Sequence, residues 1–123
     1  MNLVDSSCWL EWFAKGPNAL SFRQAIGDTA KLLVPTVVLL EVYKRLLQQQ
    51  DEHAAMRAAA YMRQGTVVEL DADLAMLAAQ IGHQTKLPLA DSIILATART
   101  HSAVLWTQDA HFQSLPAVRY FPK

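Results

Sequence analysis

"LPLADSIILATA", Leu87 to Ala98, carries a single charge, Asp91, at the front of a run that is otherwise bound for a protein core. Asp91 falls in the first turn after Pro88, where free amide groups and the helix dipole favour an anion. The spacing predicts a helix over Leu89 to His101, and "AVLWT", Ala103 to Thr107, follows as a strand. A buried helix that hands over to a short apolar strand is the repeating step of a parallel sheet.

The same alternation extends in both directions. Met1 to Val4 reads as a strand and Ser6 to Lys15 as a helix, with Trp9, Trp12 and Phe13 on one face and Gly16-Pro17-Asn18 ending it. Ala19 to Ala30 is expected as a second helical segment and Leu32 to Val34 as a strand. Thr36 to Gln50 is a helix, with Leu39, Val42, Tyr43, Leu46 and Leu47 spaced as an apolar stripe. Asp51 is placed to cap the alanine-rich helix that follows, and Thr66 to Leu70 is a strand. Asp71 opens a helix striped by Leu74, Leu77, Ala78 and Ile81. A short helix after Asp109 and a strand near Val118 to Tyr120 finish the chain.

Strands separated by helices imply a parallel sheet covered on both faces and joined by right-handed crossovers. The expected fold is a three-layer α/β/α sandwich with a central, mainly parallel sheet of four or five strands. A chain of 123 residues without a repeat, a low-complexity tract or a Ser/Gly-rich linker is expected to be one domain, 1–123.

Composition narrows the function. Lys plus Arg and Asp plus Glu number 11 each, so the strong positive field of a protein that grips nucleic acid by charge alone is missing. Hydrophobic residues make up 52% and charged residues 18%, an apolar excess that leaves surface for a partner. Cys8 is the only cysteine, so no internal disulfide forms and a reducing compartment is compatible. The start of the chain lacks a basic region, and "LLVPTVVLL" is too short to span a bilayer. A cytoplasmic protein with no membrane association is therefore expected.

Four carboxylates sit at the edges of apolar segments: Asp5, Glu41, Asp91 and Asp109. In open α/β sheets, ligands bind beyond the carboxyl ends of the strands, where the strand order reverses. Asp5 ends the first strand and Asp109 lies just past a later one, while Glu41 lies on its helix beside the apolar stripe, so the four are expected on one rim. Two carboxylates about 4 Å apart repel by roughly 4 kcal/mol near a protein surface, so such a cluster needs raised pKa values or a cation. An acidic, all-oxygen set suits Mg²⁺ or Mn²⁺. Taken singly, each residue also has a plain explanation: Asp5 and Asp91 as helix-start charges, Glu41 paired with Arg45 at i+4, and Asp109 as a turn former.

The blocks "LVDSS", "VPTVVLLEVYKRL", "LPLADSIILATA" and "LWTQDAHF", in this order, resemble the four acidic blocks of the PIN-domain ribonucleases. For a chain this small, the resemblance is to the VapC-type toxins of type II toxin-antitoxin pairs. It implies an endoribonuclease that uses one or two Mg²⁺ or Mn²⁺ ions held by Asp5, Glu41, Asp91 and Asp109, with Ser6 and Thr107 at the family's small hydroxyl positions. It also implies RNA as substrate, a cognate antitoxin as partner, and a homodimer. One departure is His111, where many relatives carry a further acid; it joins Lys44 and Arg45 as a candidate substrate contact.

Two other classes compete. A phosphotransfer domain on a similar sheet lacks its paired acid after the first strand, and a dehalogenase-type phosphatase would need a second aspartate where Ser7 stands. A non-catalytic interaction module would use the apolar surplus instead, around Val37 to Val42.

Overall fold

The computed structural model describes residues 1–123. Five strands, β1 (Asn2–Val4), β2 (Leu32–Pro35), β3 (Thr66–Val68), β4 (Val104–Thr107) and β5 (Val118–Tyr120), form one sheet in the order β3-β2-β1-β4-β5. Every neighbouring pair is parallel. Six helices connect them: α1 (Ser6–Phe13), α2 (Arg23–Gly27), α3 (Thr36–Gln49), α4 (Glu52–Met62), α5 (Ala72–Thr85) and α6 (Leu89–Thr100).

Successive residues of a strand point to opposite faces, and all four residues of β2 are buried. The sheet is therefore covered on both sides, which makes the fold an α/β sandwich. Its core joins Leu3 and Val4 of β1 to Ile94, Leu95 and Ala98 of α6 and to Leu105 and Trp106 of β4. From β1 the chain steps outward to β2 and β3, then returns to the other side of β1 for β4. The strand order thus reverses between β1 and β4, and a crevice opens there at the carboxyl ends.

Two local readings change. The segment Ala19–Ala30 is not one helix: a 3₁₀ turn at Ala19–Phe22, the short α2 and a second 3₁₀ turn at Thr29–Lys31 follow one another. Asp28, at φ −90° and ψ 73°, leaves the helical region just after Gly27 and breaks the run. In α3 the buried face is Val38, Val42 and Leu46, whereas Leu47 is 45% and Leu40 61% exposed. Of the expected stripe, Val42 and Leu46 are buried and Leu39 and Tyr43 pack against the core, so only Leu47 departs from it, while Val38 joins.

The placement of α6 depends on a close approach to α5. A Cβ built at Gly82 would lie 2.6 Å from Ser92 Oγ, so glycine admits the contact. Ser92 in turn donates to the carbonyl oxygen of Pro88 at 3.0 Å, at the mouth of α6. This packing sets the first turn of α6, and with it Asp91, against the sheet edge.

Candidate active site

Asp5 is the first residue after β1 and the N-cap of α1. It is 3% exposed, yet its carboxylate is fully engaged. Oδ1 accepts from Ser7 Oγ at 2.5 Å and from the Cys8 amide at 3.2 Å, and Oδ2 accepts from Thr107 Oγ1 at 2.5 Å. Thr107, the last residue of β4, also accepts from the Asp109 amide at 2.9 Å. One buried hydroxyl therefore ties the first carboxylate to the backbone that carries the fourth, and Thr107 spans the crevice between β1 and β4.

Glu41 reaches the same edge from α3, where its Oε1 accepts from Ser6 Oγ at 3.0 Å. Asp91 and Asp109 meet through His111, whose Nδ1 lies 3.0 Å from Asp91 Oδ2 and 3.2 Å from Asp109 Oδ1. Asp109 caps the 3₁₀ turn Ala110–Phe112 by accepting from the His111 amide at 2.9 Å, and this cap aims the imidazole back at the acids. Donor atoms of Asp91, Asp109 and His111 all fall within 4.8 Å of one another, a spacing one metal ion could bridge.

The electrostatics are set first by burial, with repulsion between the acids adding to it. Burial holds the Asp5 carboxyl above the usual carboxylate range against the opposing pull of its hydrogen bonds, and the charge of Asp109 pushes in the same direction. Burial raises Glu41 as well, with Asp5 and Asp109 adding to it. Burial pushes Asp91 up to about 6, while the hydrogen bond from His111 pulls against that shift. The two acids hold His111 above its ordinary value. Asp5, Glu41 and Asp91 each feel the charge of Asp109, but the spacing of a single ion is met by Asp91, Asp109 and His111 and not by Asp5 or Glu41. The cluster favours a cation.

The remaining residues singled out from sequence lie nearby. Lys44 and Arg45 share a shallow depression with Glu41 and Ala90, and neither forms an ion pair. The i+4 pairing of Glu41 with Arg45 is therefore not made. Cys8 is buried, and burial pushes its thiol up, so it offers no nucleophile. The expected all-oxygen set has a nitrogen beside it, because His111 stands between Asp91 and Asp109. Two residues of the site were missed: Ser7, which holds Asp5, and Gln108, buried beside it, whose amide donates to Ser7 Oγ at 3.1 Å. The paired serines of "VDSS" were the available signal, but which serine serves which acid is visible only in three dimensions.

The PIN domain sequence profile matches residues 3–118. No curated protein sequence matches the chain. Among solved structures, a toxin-antitoxin complex from Klebsiella pneumoniae has a similar chain with a TM-score of 0.85 at 21% identity, covering 100% of both chains. Mycobacterium tuberculosis VapC20, described as a sarcin-ricin loop cleaving toxin, gives 0.79 at 19% identity over 94% of this chain and 95% of that one. DNA-bound VapBC from Salmonella typhimurium gives 0.75 at 15% identity over 99% and 98%. At such identities the likeness establishes the fold.

Proposed function

This chain belongs to the PIN domain family, and from that premise we propose that it is a metal-dependent endoribonuclease acting as the toxin of a toxin-antitoxin pair. The observation that carries the reading is the meeting of Asp91 and Asp109, with His111, at the spacing of one metal ion, and it is supported by the raised pKa values of Asp5, Glu41 and Asp91 nearby. Such a set is poised to exchange its excess protons for a divalent ion.

Asp91 and Asp109 would hold a Mg²⁺ or Mn²⁺ ion, and with Asp5 and Glu41 further along the rim a second would be possible; carboxylate oxygens fit such hard cations. When bound, such an ion supplies a water of lowered pKa and offsets charge on the phosphodiester. The chain does the positioning. Ser7 and Thr107 fix both oxygens of Asp5, and Ser6 orients Glu41. Lys44 and Arg45, unpaired beside Glu41, would draw the RNA backbone across the rim. With a net charge of 0, the protein has only such local cations and the bound ions to hold RNA.

The antitoxin reading is supported by structural neighbours that are toxin-antitoxin complexes. We place the protein in the cytoplasm as a homodimer on the strength of the VapC-type resemblance; no helix of the chain is long and apolar enough to cross a membrane.

The test is direct. Purified protein should cut single-stranded RNA with Mn²⁺, stop on chelation and resume when Mn²⁺ is returned. Asp5→Asn should keep a native circular dichroism spectrum and lose more than about 10³-fold in rate, the scale of several kcal/mol of metal-assisted stabilisation. A folded Asp5→Asn variant that cuts as fast as wild type would overturn the assignment.

A further inference from the structure

A second depression opens on the other side of Arg45, between α1, α3 and the last residues of the chain, with a volume of about 470 Å³. That is within the range of small-molecule sites. Ser7, Asn18, Arg45, Gln49, Gln108 and Lys123 line it. Ser7 is also the residue that holds Asp5, so this depression begins one hydroxyl away from the carboxylate rim.

Its wall is rigid where it needs to be. The Asn18 side-chain amide donates to Gln108 Oε1 at 2.8 Å and to the Pro122 carbonyl oxygen at 3.0 Å, and Gln108 Nε2 donates to the Ser7 carbonyl oxygen at 3.2 Å. Glu11, the one acid in the lining, accepts from the Asn18 amide at 2.9 Å. A Cβ at Gly16 would sit 2.0 Å from Glu11 Oε1, so glycine is what allows that carboxylate to fold over the loop.

The groups left over are of a different kind. Arg45 and Lys123 make no ion pair, and the Gln49 side chain makes no hydrogen bond. Arg45 also lines the depression that contains Glu41 and Lys44, so one guanidinium borders both spaces. Two free cations and a free amide beside a phosphodiester-cleaving rim match the parts of a nucleotide: cations for phosphate, an amide for a base edge.

Resting on the ribonuclease reading above, we propose that this depression is a nucleotide subsite. In it Arg45 and Lys123 hold a phosphate next to the scissile one, and Gln49, with the free Oδ1 of Asn18, hydrogen-bonds the neighbouring base. The subsite would set which base is tolerated beside the cut, a choice the carboxylates themselves have no means of making.

The experiment has two arms on the full chain. In the first, wild-type protein, Gln49→Ala and Lys123→Ala cut a randomised RNA pool with Mn²⁺, and the product ends are sequenced. Gln49→Ala should relax base preference at one position beside the cut by roughly tenfold or more. Lys123→Ala should weaken all sequences evenly and lower the slope of log Kd against log salt by about one. In the second arm, a mixed-sequence RNA hexamer is titrated with Ca²⁺ replacing Mn²⁺, and the Gln49 and Asn18 side-chain amide resonances should shift. If RNA is cut but the Gln49→Ala profile is unchanged and these resonances stay still, the subsite is wrong while the ribonuclease stands. If wild-type protein neither binds nor cuts RNA, the ribonuclease reading itself falls and takes the subsite with it.

Discussion

Asp5 and Asp91 share one rim, but Asp5 is 3% exposed with both oxygens hydrogen-bonded by Ser7, Cys8 and Thr107, whereas Asp91 shares a solvent-facing cleft with an imidazole that is 57% exposed. The buried end is architecture that also does chemistry. Removing a hydroxyl there should injure both the fold and the rate. The open end is held by one exposed side chain, so changes there should alter ion exchange and leave the fold intact.

The largest effect that separates the two ends is expected at Thr107. Thr107→Val strands Asp5 Oδ2 and the Asp109 amide together, at a cost of about 1 to 3 kcal/mol for each buried group left unpaired. Loss of a group that orients metal-binding carboxylates typically lowers affinity or activity roughly 10- to 100-fold. Thr107→Ser keeps the hydroxyl and should recover most of both, as read by thermal melts and by single-turnover RNA cleavage. If valine proves as active and stable as threonine, the distinction between the two ends collapses.

How much of this was written in the sequence can be judged residue by residue. The parallel sheet was legible in the alternation of strand and helix spacing, and the four acids stood out because each lies at the edge of an apolar segment in blocks that resemble the PIN family in order. The PIN profile bears out that resemblance across residues 3–118. What escaped depends on contacts between distant positions. Gln108 meets Asn18 across 90 positions and Ser7 across 101, and no local pattern marks such partners. The edge of the α3 face, Leu47 exposed and Val38 buried, was blurred for a different reason: periodicity has little contrast where most neighbours are apolar.

A smaller effect should appear in the pH dependence of the metal-free protein. A carboxyl whose folded pKa is raised favours the protonated fold, so its contribution is fully present below the unfolded value of 3.8 and is lost as pH rises through the folded value, about 6 for Asp91. Asp5 and Glu41 shift in the same direction. His111, also raised, adds stability below its unfolded value of 6.5 that disappears as pH climbs through the folded one. All four contributions decline together. With chelator present, the melting temperature should fall by several degrees from pH 5 to pH 7.5, and saturating Mn²⁺ at pH 7.5 should restore it. A melting temperature that rises over this interval without metal would show that the acids do not share their repulsion.

The smallest effect belongs to the open end. His111→Ala removes an exposed side chain, so the melting temperature should stay close to that of wild type. The change in metal affinity is the informative part. At 3.0 Å from Asp91 and 3.2 Å from Asp109, a protonated imidazole offsets part of the charge of the two acids and must give way before an oxygen-seeking ion can bind. Mg²⁺ should therefore bind His111→Ala a few-fold more tightly than wild type near pH 7, and the advantage should fade at higher pH as the wild-type imidazole loses its proton. Calorimetric titrations of Mg²⁺ at two pH values would measure this. Weaker Mg²⁺ binding by the variant at both would instead make His111 a ligand, and the open end would then be as built as the buried one.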